Sequence, residues 1–311
     1  MIQELLQRVS AERIRRDLFY LCSDPLPFRK ACYTRPGQSF NSLVETDRFI
    51  TDQLESAGCE VTPTTYQVQS FRCDDTKPLH HWYSKPQPQD PWYDANNLEA
   101  ALPGRECPDE IIQLVSHKDS MSWIDSPGAH DNAAGTVANL ELARVLSGCN
   151  LKRTVRVLFC NEEHVPWTSR FAAEEAFARG DNIIAVLNVD SLDGKSNEDI
   201  AEGTLTHTVT YSTDEGRPLA EHIAGCAPRH GIEMDVRVVF KDHVNDDDGM
   251  FINAGYRRTV MNVGSFPYED SEYHLVGDVP ERVNIDNVVR STQLLLAAIL
   301  EIDANGESVF T

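Results

Sequence analysis

Five side chains of metal-ligating type stand where apolar runs of this chain stop: His117 in VSHKDS, Asp131 in GAHDNAAG, Glu163 in CNEEH, Asp190 in LNVDS and His274 in SEYHLVGD. Imidazoles and carboxylates without a thiolate suit zinc, with cobalt or manganese as substitutes. Open α/β sheets carry their chemistry at the carboxyl ends of strands, so residues remote in sequence converge in one cleft. The ordering is that of a metal-dependent hydrolase.

Each segment also has a plain structural reading. Asp119, two residues beyond His117, can orient the imidazole through its second ring nitrogen, but an HxD pair is equally a satisfied turn. Asp131 precedes a helix whose first turn is small, so it is either an N-cap or a carboxylate held rigidly at the helix start. Glu162 and Glu163 follow the buried run TVRVLFC, where unpaired charge is costly unless it meets metal, solvent or a partner. In a metal site they divide labour, Glu163 as ligand and Glu162 as general base. Asp190 closes IIAVLNVD and could simply initiate a turn; His274 sits in a polar loop where a surface histidine is the ordinary expectation.

The elements that must position these groups alternate. Apolar positions at three- and four-residue spacing predict helices over 11–21, 42–57, 133–146, 169–179, 217–230 and 285–300. Short continuous Val, Ile and Leu runs predict strands over 111–115, 155–159, 183–189, 207–211, 236–240 and 259–263. Such alternation implies an α/β fold, a mostly parallel twisted sheet with helices on both faces. The 311 residues are read as one domain, with an irregular surface loop over 74–97 that is rich in Pro and aromatics.

A net charge of −21 argues against a phosphate-binding surface, hence against a nucleic-acid partner. The eight cysteines form no CxxC pair and are read as mostly reduced thiols. The amphipathic start MIQELLQRVSAERIRRDLFYL has no signal-peptide h-region, and no stretch approaches membrane-spanning length. A soluble cytoplasmic protein is expected, without a membrane partner.

The ordered set HKDS, GAHDN, NEE, NVDS and YHLVGDVPERV, with SDPLPFRKA, PGQSF, NLEAALPG and NDDDGMFINAGY around it, resembles the co-catalytic two-zinc aminopeptidases, the family of aminopeptidase Y and bacterial leucyl aminopeptidases. The resemblance spans about Leu18 to Leu300. It implies a zinc-dependent exopeptidase taking peptides or aminoacyl compounds. His117 and Asp190 would ligate one zinc and Glu163 and His274 the other, with Asp131 as the bridge, Asp119 orienting His117, and Glu162 as the base. Departures concern the pocket. His130 precedes the bridging Asp, where an extra imidazole would approach the metals, and HVPWTSR follows Glu163 in place of a glycine-rich sequence. Trp167, His243, Tyr268 and Tyr273 are further pocket candidates, the tyrosines as oxyanion donors. The run Asp246 to Asp248 would border the cleft or form a solvated acidic loop. A single-zinc glutaminyl cyclase, another metal-dependent amidase or carboxypeptidase, and a non-catalytic binding module are the alternatives. Side-chain preference, metal count and oligomeric state are not written in the sequence.

Overall fold

The apolar runs become the middle of one nine-stranded sheet. In chain order its strands are β1 (Glu60–Ser70), β2 (Tyr93–Leu102), β3 (Cys107–His117), β4 (Arg153–Cys160), β5 (His164–Val165), β6 (Asn182–Val189), β7 (Thr206–Tyr211), β8 (Asp235–Phe240) and β9 (Thr259–Val263). The computed structural model describes residues 2–310 and orders them β8-β7-β9-β6-β3-β4-β2-β1-β5. The central strands β4, β3, β6 and β9 run parallel. Antiparallel pairing begins on either side, at β4 with β2 and at β9 with β7.

Burial on both faces explains the unbroken apolar runs. Side chains alternate across a strand, so Ile112, Leu114, Val157, Phe159 and Leu187 face one core while Val115, Leu158, Cys160 and Val186 face another. The first core is closed by α1 (Ala11–Cys22), α2 (Ser42–Ser56), α3 (Gly135–Ser147), α5 (Gly216–His230) and α7 (Ile285–Asn305). The second is closed by α4 (Thr168–Arg179) and α6 (Asp246–Ala254), through Ala173 and Phe251. Leu114 is fully buried, and truncating such a residue to alanine removes about 2–5 kcal/mol.

Three expectations are revised. β1 has no apolar run because most of EVTPTTYQVQS faces solvent, and β2 starts inside the stretch read as loop. The 74–97 loop is therefore shorter, and it is pinned by a two-stranded ribbon pairing Arg72–Cys73 with Tyr83–Ser84. The acidic run is no solvated loop: Asp246, Asp247 and Asp248 fill the first turn of α6, where carboxylates favour the positive end of the helix dipole, and the last two are buried.

Candidate metal centre

Parallel pairing brings the site together before any side chain is considered. His117 ends β3 in register with Cys160 at the end of β4, so Glu162 and Glu163 emerge beside it. β6, on the other side of β3, ends at Val189, and Asp190 follows. Asp131 arrives from the wide turn Ala129–Ala134 that leads into α3.

Asp131 is not the helix cap. That role falls to Asn132, whose Oδ1 accepts the Gly135 N–H at 3.0 Å and the Ser191 N–H at 3.2 Å, while its Nδ2 donates to the Val189 carbonyl at 2.9 Å. Asn132 thus locks the turn bearing Asp131 to the strand end bearing Asp190, and the Asp131 carboxylate is left free. The approach is close enough that a Cβ at Gly135 would meet the Val189 carbonyl, so only glycine fits there.

The five predicted ligands converge. His117 Nε2 lies 3.0 Å from Asp131 Oδ1 and 3.4 Å from Asp190 Oδ1. His274 Nε2 lies 3.2 Å from Asp131 Oδ2 and 3.5 Å from Glu163 Oε1. Asp131 Oδ2 is buried and has no hydrogen-bond partner. Both imidazoles are held by their other nitrogen, His117 Nδ1 against Asp119 Oδ1 at 3.2 Å and His274 Nδ1 against the His80 carbonyl at 2.7 Å. Each Nε2 therefore aims a lone pair at carboxylate oxygens, an arrangement that requires positive charge between them. The protein groups alone meet the same demand with protons, which a bound cation would displace. Burial opposes charge on both rings, yet Asp190 and Asp131 drive His117 well above its usual range, and Glu163 with Asp131 takes His274 up to about 10. Buried imidazoles and carboxylates that share no thiolate fit a borderline divalent cation such as zinc.

Asp119 is more deeply anchored than its spacing from His117 suggests. Its carboxylate also accepts the Glu162 N–H at 3.0 Å, the Glu163 N–H at 2.8 Å and His164 Nδ1–H at 2.7 Å. Burial alone would raise its pKa, but the His117 and His164 hydrogen bonds hold it well below the carboxylate range. His164 in turn accepts the Ala31 N–H on Nε2 at 3.1 Å, which fixes its tautomer. Sequence reading passed over His164, although it stands next to NEE.

Glu162 faces the same space from the β4 side. Its Oε2 accepts the Asp247 N–H at 3.2 Å. Burial, followed by the charges of Asp247 and Asp246, pushes its carboxyl well above the usual range, the condition of a group poised to hold a proton. Asp247 is itself raised to about 6, first by burial.

These groups line a cavity of about 100 Å³, walled by Phe71, Tyr83, Trp167, Tyr268 and Tyr273 and bordered by Asn245 and Asp246. Trp167 and both tyrosines therefore stand where the sequence placed them. Tyr273 stacks on His274 with centroids 3.8 Å apart and on Tyr268 at 4.5 Å. Two candidates are displaced. His130 turns away from the cleft: its Nδ1 meets Asp278 Oδ1 at 2.8 Å and Asp270 Oδ2 at 3.3 Å. Burial opposes protonation there, but Asp278 and Asp193 raise the ring to about 10, so it is a counter-ion within a buried carboxylate group. His243 is exposed and pairs with Asp242, outside the cavity wall. A further residue emerges, Asp278 of the VGDVPERV motif, which accepts the backbone N–H groups of His130 at 2.9 Å and Asp131 at 3.1 Å.

Comparison with known proteins agrees with this geometry. A family model described as Peptidase family M28 matches residues 97–299. Leucine aminopeptidase 1 of Chaetomium globosum is 22% identical over 224 residues, covering 67% of this chain and 53% of its own length. The chain spans about half the length of the curated relatives it matches. Among solved structures, the Legionella pneumophila LapA aminopeptidase superposes with a TM-score of 0.73 at 19% identity, covering 98% of this chain and 75% of that one. The Fimbriiglobus ruber glutaminyl cyclase gives 0.67 at 17%, covering 94% and 95%. Both show the same fold.

Proposed function

This chain belongs to peptidase family M28, and from that premise we propose that it is a zinc-dependent exopeptidase, an aminopeptidase that releases N-terminal residues from short peptides. The observation that carries the reading is the pair of imidazoles held at Nδ1 whose Nε2 atoms both address Asp131. His117, Asp190, Asp131, Glu163 and His274 are the residues that would hold two zinc ions. When bound, zinc supplies Lewis acidity toward a scissile carbonyl and toward water.

The protein groups supply the rest. Glu162 takes the proton of the attacking water and returns it to the leaving amine, its carboxylate aligned by the Asp247 N–H. Asp246, on the cavity wall, provides an anionic contact for a substrate ammonium. Phe71, Tyr83 and Trp167 shield the reacting atoms from bulk water and take up the N-terminal side chain. Asp119 and His164 do not touch substrate; they orient His117 and the backbone of both glutamates.

A glutaminyl cyclase reading differs in using one zinc. The convergence of two imidazoles on the two oxygens of Asp131 favours two. The eight unpaired cysteines, four of them buried, support a reducing compartment such as the cytoplasm. The reading is tested by assaying chelated and zinc-restored protein against aminoacyl arylamides, N-blocked peptides and N-terminal glutamine peptides. Hydrolysis confined to free N-termini and restored with two zinc equivalents is expected. Cyclisation of the glutamine substrate at one equivalent would replace the proposal with the cyclase.

A further inference from the structure

Helix α5 carries HIAGCAPRH, in which His222, Cys226 and His230 recur every four residues. That spacing sets the side chains one above another on a single helix face. The face packs on α7, from which Glu301 reaches across. Glu301 Oε1 is 2.8 Å from His230 Nε2, which leaves Oε2 turned toward the other two residues, 3.5 Å from His222 Nε2 and 3.7 Å from Cys226 Sγ.

Two features of this group are unexplained by an ordinary ion-pair network. The His222 side chain is only 7% exposed, yet its Nε2 has no hydrogen-bond partner and points into the group. The backbone of Ala298 on α7 lies beside the same ring. The second feature is Arg229. Its Nη2 lies 2.7 Å from Glu301 Oε2 and 3.0 Å from Cys226 Sγ, so a cationic group fills the position between an anionic oxygen and a sulfur. That side chain is 44% exposed and can leave for solvent.

We propose that His222, Cys226 and Glu301 form a second divalent-metal site, separate from the cleft, which takes zinc or another thiolate-binding cation and ties α5 to α7. Its one nitrogen, one sulfur and one oxygen donor leave a fourth position for water. His230 positions the Glu301 carboxylate. On binding, Arg229 moves out and the Cys226 thiol releases its proton to solvent. Because binding displaces that proton, the site fills more tightly as pH rises. Neither helix contributes to the cleft wall, and the proposal stands whether or not the peptidase reading does.

The cleft lining offers only oxygen and nitrogen ligands, so a thiolate band arises outside it and the Cys226 variant assigns it. Metal-free protein titrated with cobalt(II) should develop a near-ultraviolet thiolate-to-cobalt charge-transfer band. Cys226→Ser and His222→Asn, each checked for an unchanged circular dichroism spectrum, should abolish it, and Cys160→Ser should keep it. Arg229→Ala removes the competing cation and should tighten cobalt binding about fivefold, the upper range of a surface ion pair. A titration that saturates the cleft without a charge-transfer band, a band that survives Cys226→Ser, or unchanged affinity in Arg229→Ala would overturn the proposal.

Discussion

Asp119 Oδ2 and His164 Nδ1 lie 2.7 Å apart, fully buried, and through this contact a histidine that reaches no ligand atom fixes the carboxylate orienting His117. Asp119 is surrounded by donors from His117, His164 and the Glu162 and Glu163 backbone. Partners that orient a metal-bound imidazole are worth about 10–100-fold in metal affinity or activity. His164→Gln should weaken zinc binding by that order, measured by competition with a chromophoric chelator, while the far-ultraviolet circular dichroism stays unchanged. Wild-type affinity in the variant would reduce His164 to packing.

Glu162 and Glu163 are adjacent in sequence but separate in role. Glu163 Oε1 faces His274, whereas Glu162 Oε2 is held by the Asp247 N–H. Glu162→Gln keeps the shape and removes the proton acceptor, so kcat should fall about 10²–10⁴-fold with metal content retained. Glu163→Gln should instead lower zinc content. If the two variants lose metal equally, Glu162 is a ligand and not the base.

Three of the candidate ligands were legible because each ends or follows a strand of the parallel centre, where an apolar run and its polar successor are both visible in one dimension. His117, Glu163 and Asp190 are of this kind. Direction was not legible. His130 adjoins Asp131, yet the wide turn over 129–134 turns it toward Asp278, contributed 148 residues later. The capping alternative offered for Asp131 is filled by Asn132 for the same reason, since a turn places consecutive side chains on different sides. β1 escaped notice because its partner β2 and not its own apolar content keeps it in the sheet.

SDPLPFRKA could be recognised as a motif, but its purpose lies in Arg29. The guanidinium is fully buried and donates to the carbonyls of Leu21, Lys118, Pro127 and Gly128. It joins the end of α1 to the loops flanking His117 and Asp131. A lysine cannot reproduce a planar fork that serves several acceptors. Arg29→Lys should destabilise the protein by about 2–4 kcal/mol in urea denaturation, the loss of one or two charge-assisted buried hydrogen bonds. A loss below about 1 kcal/mol would mean that the loops hold themselves.

His207, on β7, is fully buried between Ser291 and Asn262, and burial lowers it to about 4. Its folded pKa lies below the unfolded value of about 6.5, so the unfolded chain binds the proton first. Stability from this residue is present above that value and is lost as pH falls toward 4, up to roughly 3 kcal/mol. His207→Gln removes the titration, and the difference in unfolding free energy between the variant and wild type should narrow or reverse as pH falls through this window. A difference independent of pH would place the acid sensitivity elsewhere.

Trp167 belongs to two cavities at once. With Phe71 and Tyr83 it walls both the metal cleft of about 100 Å³ and a neighbouring cavity of about 460 Å³ that includes Val165, Pro166 and Met250. Replacement of the glycine-rich sequence by HVPWTSR therefore places an indole between the reacting centre and a larger apolar space. On the proposed aminopeptidase reading, the metal cleft by itself would accommodate a small N-terminal side chain. Trp167→Ala would join the two spaces without touching a ligand, and burial of an aromatic side chain there should favour bulky substrates. The ratio of kcat/KM for phenylalanyl over alanyl arylamide should rise about tenfold, with zinc content unchanged. An unchanged ratio would mean that the N-terminal side chain lies on the Tyr268 and Tyr273 side of the cleft, and the specificity of HVPWTSR would then concern the residues beyond the scissile bond.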